Sequence, residues 1–167
     1  MRTLKFDESD RRKVIAEVEA HFATKLSQVG RFKKYLEDEQ GRPYWVLGGY
    51  DDWHGVSAEM VKKERRRQLG GVLVVAKRGR TSIDIYAGDL QQMVARESDL
   101  SHTQTGDYQF NIHIRGNSMM VKEISGLVLH KLGPTHEVGL PIVAMISKMS
   151  DVERQRLFKA MKDPEGV

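Results

Sequence analysis

The sequence predicts an α+β protein: a mainly antiparallel sheet of five or six strands, with helices at both ends of the chain. Three observations carry that expectation. Near the N-terminus Val14, Val18, Phe22 and Leu26 recur every four residues, the period of a helix with one apolar stripe. Over residues 107–115, Tyr108, Phe110, Ile112 and Ile114 alternate with Gln109, Asn111, His113 and Arg115, the period of a strand with one buried face. Near the C-terminus Ser150-Asp151-Val152-Glu153 forms a capping box that opens a last helix. A chain of 167 residues is expected to form a single domain over its whole length. Within it, 1–40 reads as a helical N-terminal part, 43–148 as a mostly sheet core with short helices, and 150–162 as the terminal helix.

Each element has its own local reason. The first helix is expected over 9–28, started by Asp7, Glu8 and Asp10 and stopped by Gly30. A second, over 31–39, is suggested by Phe32, Tyr35 and Leu36 and broken by Gly41-Arg42-Pro43. Tyr44-Trp45-Val46-Leu47 reads as a strand that opens into a turn-rich loop, 48–55. Ser57 caps a helix running to about Gln68, ended by Gly70-Gly71. Val72-Leu73-Val74-Val75-Ala76 is continuously apolar, as expected of a strand covered on both faces. Arg78-Gly79-Arg80 turns the chain into a returning strand, 81–86. A short helix over 89–96 points Leu90, Met93 and Val94 inward, and 98–106 is polar loop. After the alternating strand, Gly116-Asn117 and Gly126 divide 119–124 from 127–132 in an antiparallel meander. The loop 133–141 carries His136. The apolar run 142–146 fits strand or helix, Leu157, Phe158 and Met161 form the inner face of the last helix, and 163–167 is a frayed tail.

Composition excludes several chemistries. No cysteine is present, so disulfides, thiol nucleophiles and Cys-ligated metal are ruled out. The longest apolar runs fall far short of a membrane span, and the first residues lack the apolar stretch of a signal peptide. A cytoplasmic protein with no membrane partner is therefore expected. There is no HExxH, no Gly-x-Ser-x-Gly elbow and no phosphate-binding P-loop, so zinc proteolysis, hydrolase-fold acyl transfer and P-loop nucleotide hydrolysis have no local signal.

Charge points to a partner class. The net charge is only +4, yet residues 62–80 hold eight bases (Lys62, Lys63, Arg65, Arg66, Arg67, Lys77, Arg78 and Arg80) against one acid, Glu64. A clustered basic block is the footprint of a polyanion-binding face. The polar face of 107–115 adds two amides, an imidazole and a guanidinium, at Gln109, Asn111, His113 and Arg115. Such groups read base edges and grip phosphates. The sequence therefore leads to a nucleic-acid-binding protein, with DNA as the expected target and Lys62, Lys63, Arg65, Arg66, Arg67, Arg78 and Arg80 as phosphate contacts. The alternative is a non-catalytic protein–protein module, homodimeric through the sheet face and a methionine cluster of Met119, Met120, Met145 and Met149.

Cleavage is the active variant of the leading expectation. Asp52 lies past a strand end, Lys77 ends the apolar strand, and Asp84 sits on the strand returning beside it. In this reading Asp52, Glu59, Lys77 and Asp84 are catalytic, with Asp52 and Asp84 holding Mg²⁺ to activate a water against phosphate. The pattern departs from that of PD-(D/E)XK nucleases, because Val75 stands two residues before Lys77 where that motif has a carboxylate. The loop Tyr50-Asp51-Asp52-Trp53-His54-Gly55 offers a third possibility: hard metal ligands, or aromatic rings for a base or sugar. Only one of the adjacent carboxylates can share a side with His54.

Overall fold

The structure, a computed structural model, describes residues 4–138 and 150–162. The run 142–146, Met145, Met149 and the tail 163–167 lie outside the described residues. So do the side chains of Leu157, Phe158 and Met161.

Helix α1 (Glu8–Phe22) starts where the acids predict. The Asp7 carboxylate accepts from Asp10 N at 2.8 Å, and Asp10 accepts in return from Asp7 N at 3.2 Å. Its end differs from expectation. The chain leaves the helix through Ala23 in the left-handed region (φ 51°), and the Glu19 carboxylate takes the Leu26 amide at 2.9 Å. Gly30 is not a helix stop. At φ 59° it turns a hairpin between β1 (Ser27–Val29) and β2 (Phe32–Glu37). The helix expected over 31–39 is therefore a strand. Tyr35 and Leu36 are both buried because β2 belongs to a sheet covered on both faces, so neighbours along the chain face opposite cores.

The chain continues through β3 (Pro43–Gly49), β4 (Trp53–Val56), α2 (Ala58–Arg67), β5 (Val72–Arg78), β6 (Ser82–Asp89) and α3 (Leu90–Ala95). After a 3₁₀ turn come β7 (Ser101–His102), β8 (Tyr108–Arg115), β9 (Ser118–Val121), β10 (Val128–Lys131), β11 (His136–Glu137) and α4 (Asp151–Lys162). The strands form one mixed sheet of eleven, not five or six, in the order β1-β2-β3-β5-β6-β10-β9-β8-β4, with β11 on β6 and β7 on β8. The undercount has two causes: β2 reads as a helix, and β1, β4, β7 and β11 are each four residues or shorter, too short to display a period. Two of the helices, α2 and α3, lie between strands rather than at the chain ends. Among the described residues no helix is long and apolar enough to cross a membrane.

Alternation along β3, β5 and β6 builds two cores. Trp45, Leu47, Leu73, Val75 and Tyr86 pack on one side with Met60 and Val61 of α2 and Leu90, Met93 and Val94 of α3. Tyr44, Val46, Val74, Ala76 and Ile85 pack on the other, under Val14 and Val18 of α1. The sheet curls around the first core so far that its last strand, β4, returns beside β2. No backbone ladder joins these two strands. Lys34 Nζ donates to Gly55 O at 3.2 Å, and Ser57 N donates to the Tyr35 hydroxyl at 2.7 Å. Side chains thus close the seam.

Helix α1 is fastened to the sheet by a buried ion pair. Arg78 Nε lies 3.1 Å from Asp10 Oδ1, with Arg78 4% and Asp10 7% exposed. Removing one partner strands a charge in the core, so Arg78→Ala should cost about 3–5 kcal/mol in urea unfolding, and Arg78→Met combined with Asp10→Asn should recover part of it. A single-variant loss under about 1 kcal/mol would contradict this account of the pair. At the other end the capping box forms as the sequence predicts, with Glu153 N to Ser150 Oγ at 3.2 Å and Ser150 N to Glu153 Oε2 at 2.8 Å. Ser150→Ala should cost about 0.5–2 kcal/mol in a thermal melt. A far larger loss would mean that the hydroxyl has another partner.

Candidate nucleic-acid interface

Strand β8 behaves as its alternation demands. Tyr108, Phe110 and Ile112 are buried, Gln109 and Asn111 are half-buried, and His113 and Arg115 are exposed. Its first half pairs with β4, placing Trp53 opposite Asn111 and Gly55 opposite Gln109. Its second half pairs with β9, placing His113 opposite Met120 and Arg115 opposite Ser118. Residues directly opposite share a face. The indole of Trp53, 53% exposed, therefore stands on the same face as the four polar residues that the sequence singled out. Asn111 is held rigidly: its Nδ2 donates to Glu123 Oε1 at 2.8 Å, and its backbone N–H donates to the same carboxylate. Glu123 carries no local signal, because this contact depends on how the chain after β9 meets β8.

Lys77 is joined to Asp52, and Asp84 lies beside it on the neighbouring strand with partners of its own. Lys77 Nζ donates to Asp52 Oδ1 at 2.7 Å and to Tyr50 O at 2.6 Å. Asp84 sits directly across the β5–β6 ladder from Lys77, and its carboxylate takes Lys131 Nζ at 3.3 Å and the Thr135 hydroxyl. The hydrogen bond from Lys77 holds the Asp52 carboxyl below the usual carboxylate range. Glu59 is not part of this cluster. It lies exposed in the first turn of α2, beside a shallow groove with Lys62, Lys63 and Arg66. Each clustered carboxylate faces an ammonium, so a divalent ion held by Asp52 and Asp84 would have to displace Lys77 and Lys131. Among the described residues no group of three or more His, Asp or Glu side chains is placed to hold a metal.

The basic block does not form one patch. Helix α2 runs back along the sheet while β5 runs forward, so residues 62–67 and Arg80 lie toward opposite ends of β5. Arg78 is a correction to the expected phosphate contacts. It is buried, paired with Asp10, and lies 5.6 Å from the Tyr50 ring centroid. Arg67 bridges Glu37 at 2.6 Å and Glu64 at 3.2 Å, Arg65 pairs with Glu97, and Lys63 lies 3.9 Å from Glu37. Lys62, Arg66 and Arg80 are exposed with no ion pair among the described residues.

His54 lies two residues from Asp52 but turns inward. It is 7% exposed, its ring centroid is 5.8 Å from that of Phe110, and its Nε2 has no hydrogen-bond partner among the described residues. Burial, then Lys34 and Lys77, push its pKa down to about 4. At neutral pH the imidazole is uncharged, the form that ligates metals. It is buried against Phe110, however, while Asp51 and Asp52 are exposed, which argues against a shared metal site in this loop. Met119 is likewise fully buried and fills the core rather than a partner surface. No protein-family model, curated protein or solved structure matches this chain.

The sign of the His54 effect is fixed by the direction of its shift. The unfolded imidazole gains a proton as pH falls below about 6.5, whereas the folded one stays neutral until about 4. Stability should therefore fall across that window, with a limiting slope of about 1.4 kcal/mol per pH unit from this group, and level off below it. Urea melts from pH 7 to pH 4 should lose this component in His54→Gln. An unchanged profile in the variant would mean that the imidazole is not the group responsible.

Proposed function

We propose that this protein binds nucleic acid, with DNA as the expected target, through the face formed by Trp53 and the outward residues of β8. The observation that carries this reading is the exposed indole opposite Asn111, in line with Gln109, His113 and Arg115. An exposed indole is costly to keep in water and offers a flat surface on which a base stacks. An amide held by Glu123 and a free guanidinium supply directional hydrogen bonds to base edges or phosphates. Lys62, Arg66 and Arg80 add positive potential at a distance from that face, which steers a polyanion without specifying its sequence.

A second reading, Mg²⁺-dependent cleavage, is supported by one observation: Asp52, 25 residues before Lys77, bonds its ammonium, and Asp84 lies across the ladder from that lysine. In that reading the two carboxylates hold the ion and Lys77 offsets charge developing on phosphate. A homodimer through the same sheet face is the non-catalytic alternative.

A gel-shift series separates these. Trp53→Ala should weaken binding by about 1–3 kcal/mol, the contribution of one stacked base. Lys62→Glu with Arg66→Glu should weaken it and flatten its salt dependence by about one per lost contact. Parent-like binding by all these variants would end the nucleic-acid reading of this face. Nicking of plasmid DNA under Mg²⁺, abolished by EDTA and by Lys77→Ala, would establish cleavage. Binding without nicking would leave a binding protein.

A further inference from the structure

The seam between β2 and β4 contains a feature that no sequence motif announced. Past Tyr35 and Trp45, strands β2 and β3 no longer pair, and they splay apart. Arg11 reaches from α1 into the opening and donates to Val46 O at 3.0 Å and Lys33 O at 3.4 Å, one carbonyl from each of the two strands. The result is a cleft of about 550 Å³ bounded by β2, by Gly55 of β4 and by the 103–107 loop.

Its charge is one-sided. Arg11, Arg31, Lys33 and Lys34 line it, and the lone acid in the lining is Asp107. That carboxylate is already engaged, accepting from Ala58 N at the start of α2 at 3.0 Å. Glu8 lies 3.5 Å from Lys33 and offsets part of the charge. The cations remaining in the cleft repel one another, and the Lys34 ammonium is held below the usual lysine range by burial and then by Arg11. Four cations against the two carboxylates of Glu8 and Asp107 leave a positive excess, which an incoming anion lowers in energy.

We propose that this cleft is a phosphate-binding site. It rests on the nucleic-acid reading only for what carries the phosphate. Gly55 and Trp53 are two residues apart on β4 and project to the same face, about 7 Å apart. A strand whose backbone lies in the cleft can thus stack a base on Trp53, as single-strand binders combine a cationic track with an aromatic platform. A free phosphorylated small molecule presents the same chemistry to Arg31 and Lys34.

The experiment titrates the full chain with inorganic pyrophosphate and, separately, with an oligothymidylate of about ten nucleotides, within the usual span of a small single-strand-binding domain. The parent is compared with Arg31→Gln, Lys34→Gln and, as a control of equal charge, Lys25→Gln. Arg31 is exposed on the β1–β2 hairpin, so its variant keeps the test valid even if loss of the Lys34 bond disturbs the seam. Each cleft variant should weaken both ligands roughly three- to tenfold at low salt and flatten the oligonucleotide's salt slope by about one, with Lys25→Gln unchanged. Oligonucleotide binding that is identical in parent and cleft variants would overturn the phosphate site and leave the nucleic-acid reading standing. Pyrophosphate binding that is lost in Arg31→Gln, with no oligonucleotide binding, would keep the site and overturn the nucleic-acid reading. Binding of neither ligand would overturn both.

Discussion

The parallel pairing of β3 with β5 constrains everything else in this fold. The two strands run side by side from Tyr44 opposite Val72 to Gly49 opposite Lys77. Parallel neighbours cannot be joined by a tight turn, so the chain between them has to leave the sheet and cross one face. It does so through β4 and α2. That excursion places α2 over the core formed by Trp45, Leu73 and Tyr86, and it carries β4 away from β3. Left without a place beside its predecessor, β4 pairs with β8 at the far end of the sheet. The curl, the seam and the position of Trp53 all follow from that one pairing.

The same constraint explains which elements the sequence reveals. A strand covered on both faces loses its alternation, and Val72-Leu73-Val74-Val75-Ala76 still reads as a strand because it is β-branched and uninterrupted. Tyr35 and Leu36 mislead for the same reason. Two adjacent apolar residues fit a helical stripe as well as they fit the two sides of a covered strand, and the flanking Lys33, Lys34, Glu37 and Asp38 do not arbitrate. Strand β8 is legible because only one of its faces is covered. Caps are legible because they are local: Asp7, Ser57 and Ser150 all perform as capping residues.

The site is legible to a different degree. The outward residues of β8 are visible one by one, since period-2 alternation assigns each a face. Their grouping with Trp53 is not, because it depends on a pairing between segments more than fifty residues apart. Clustering in sequence proved a poor guide to clustering in space. Arg78 sits among surface bases in the chain, yet the strand's alternation points it at Asp10. Conversely Arg31, Lys33 and Lys34 form a short basic run that drew no notice in the sequence, and Arg11, twenty residues earlier, joins them only in the fold.

This redistribution of charge alters how a polyanion would be met. The α2 bases and Arg80 are separated by roughly the length of β5, about 23 Å for seven residues. The screening length at physiological salt is about 8 Å. Over that separation the two ends act independently, so a ligand has to span both to feel both. Within the seam the reverse holds: Arg11 and Lys34 are close enough for one to depress the other's proton affinity, and low-dielectric walls weaken screening between them. The number of bases in a segment therefore says less about where an anion settles than the few places where the protein's own acids are already engaged elsewhere. On this surface such a place is the seam, where four cations share two carboxylates, Glu8 and Asp107, and Asp107 also serves the start of α2.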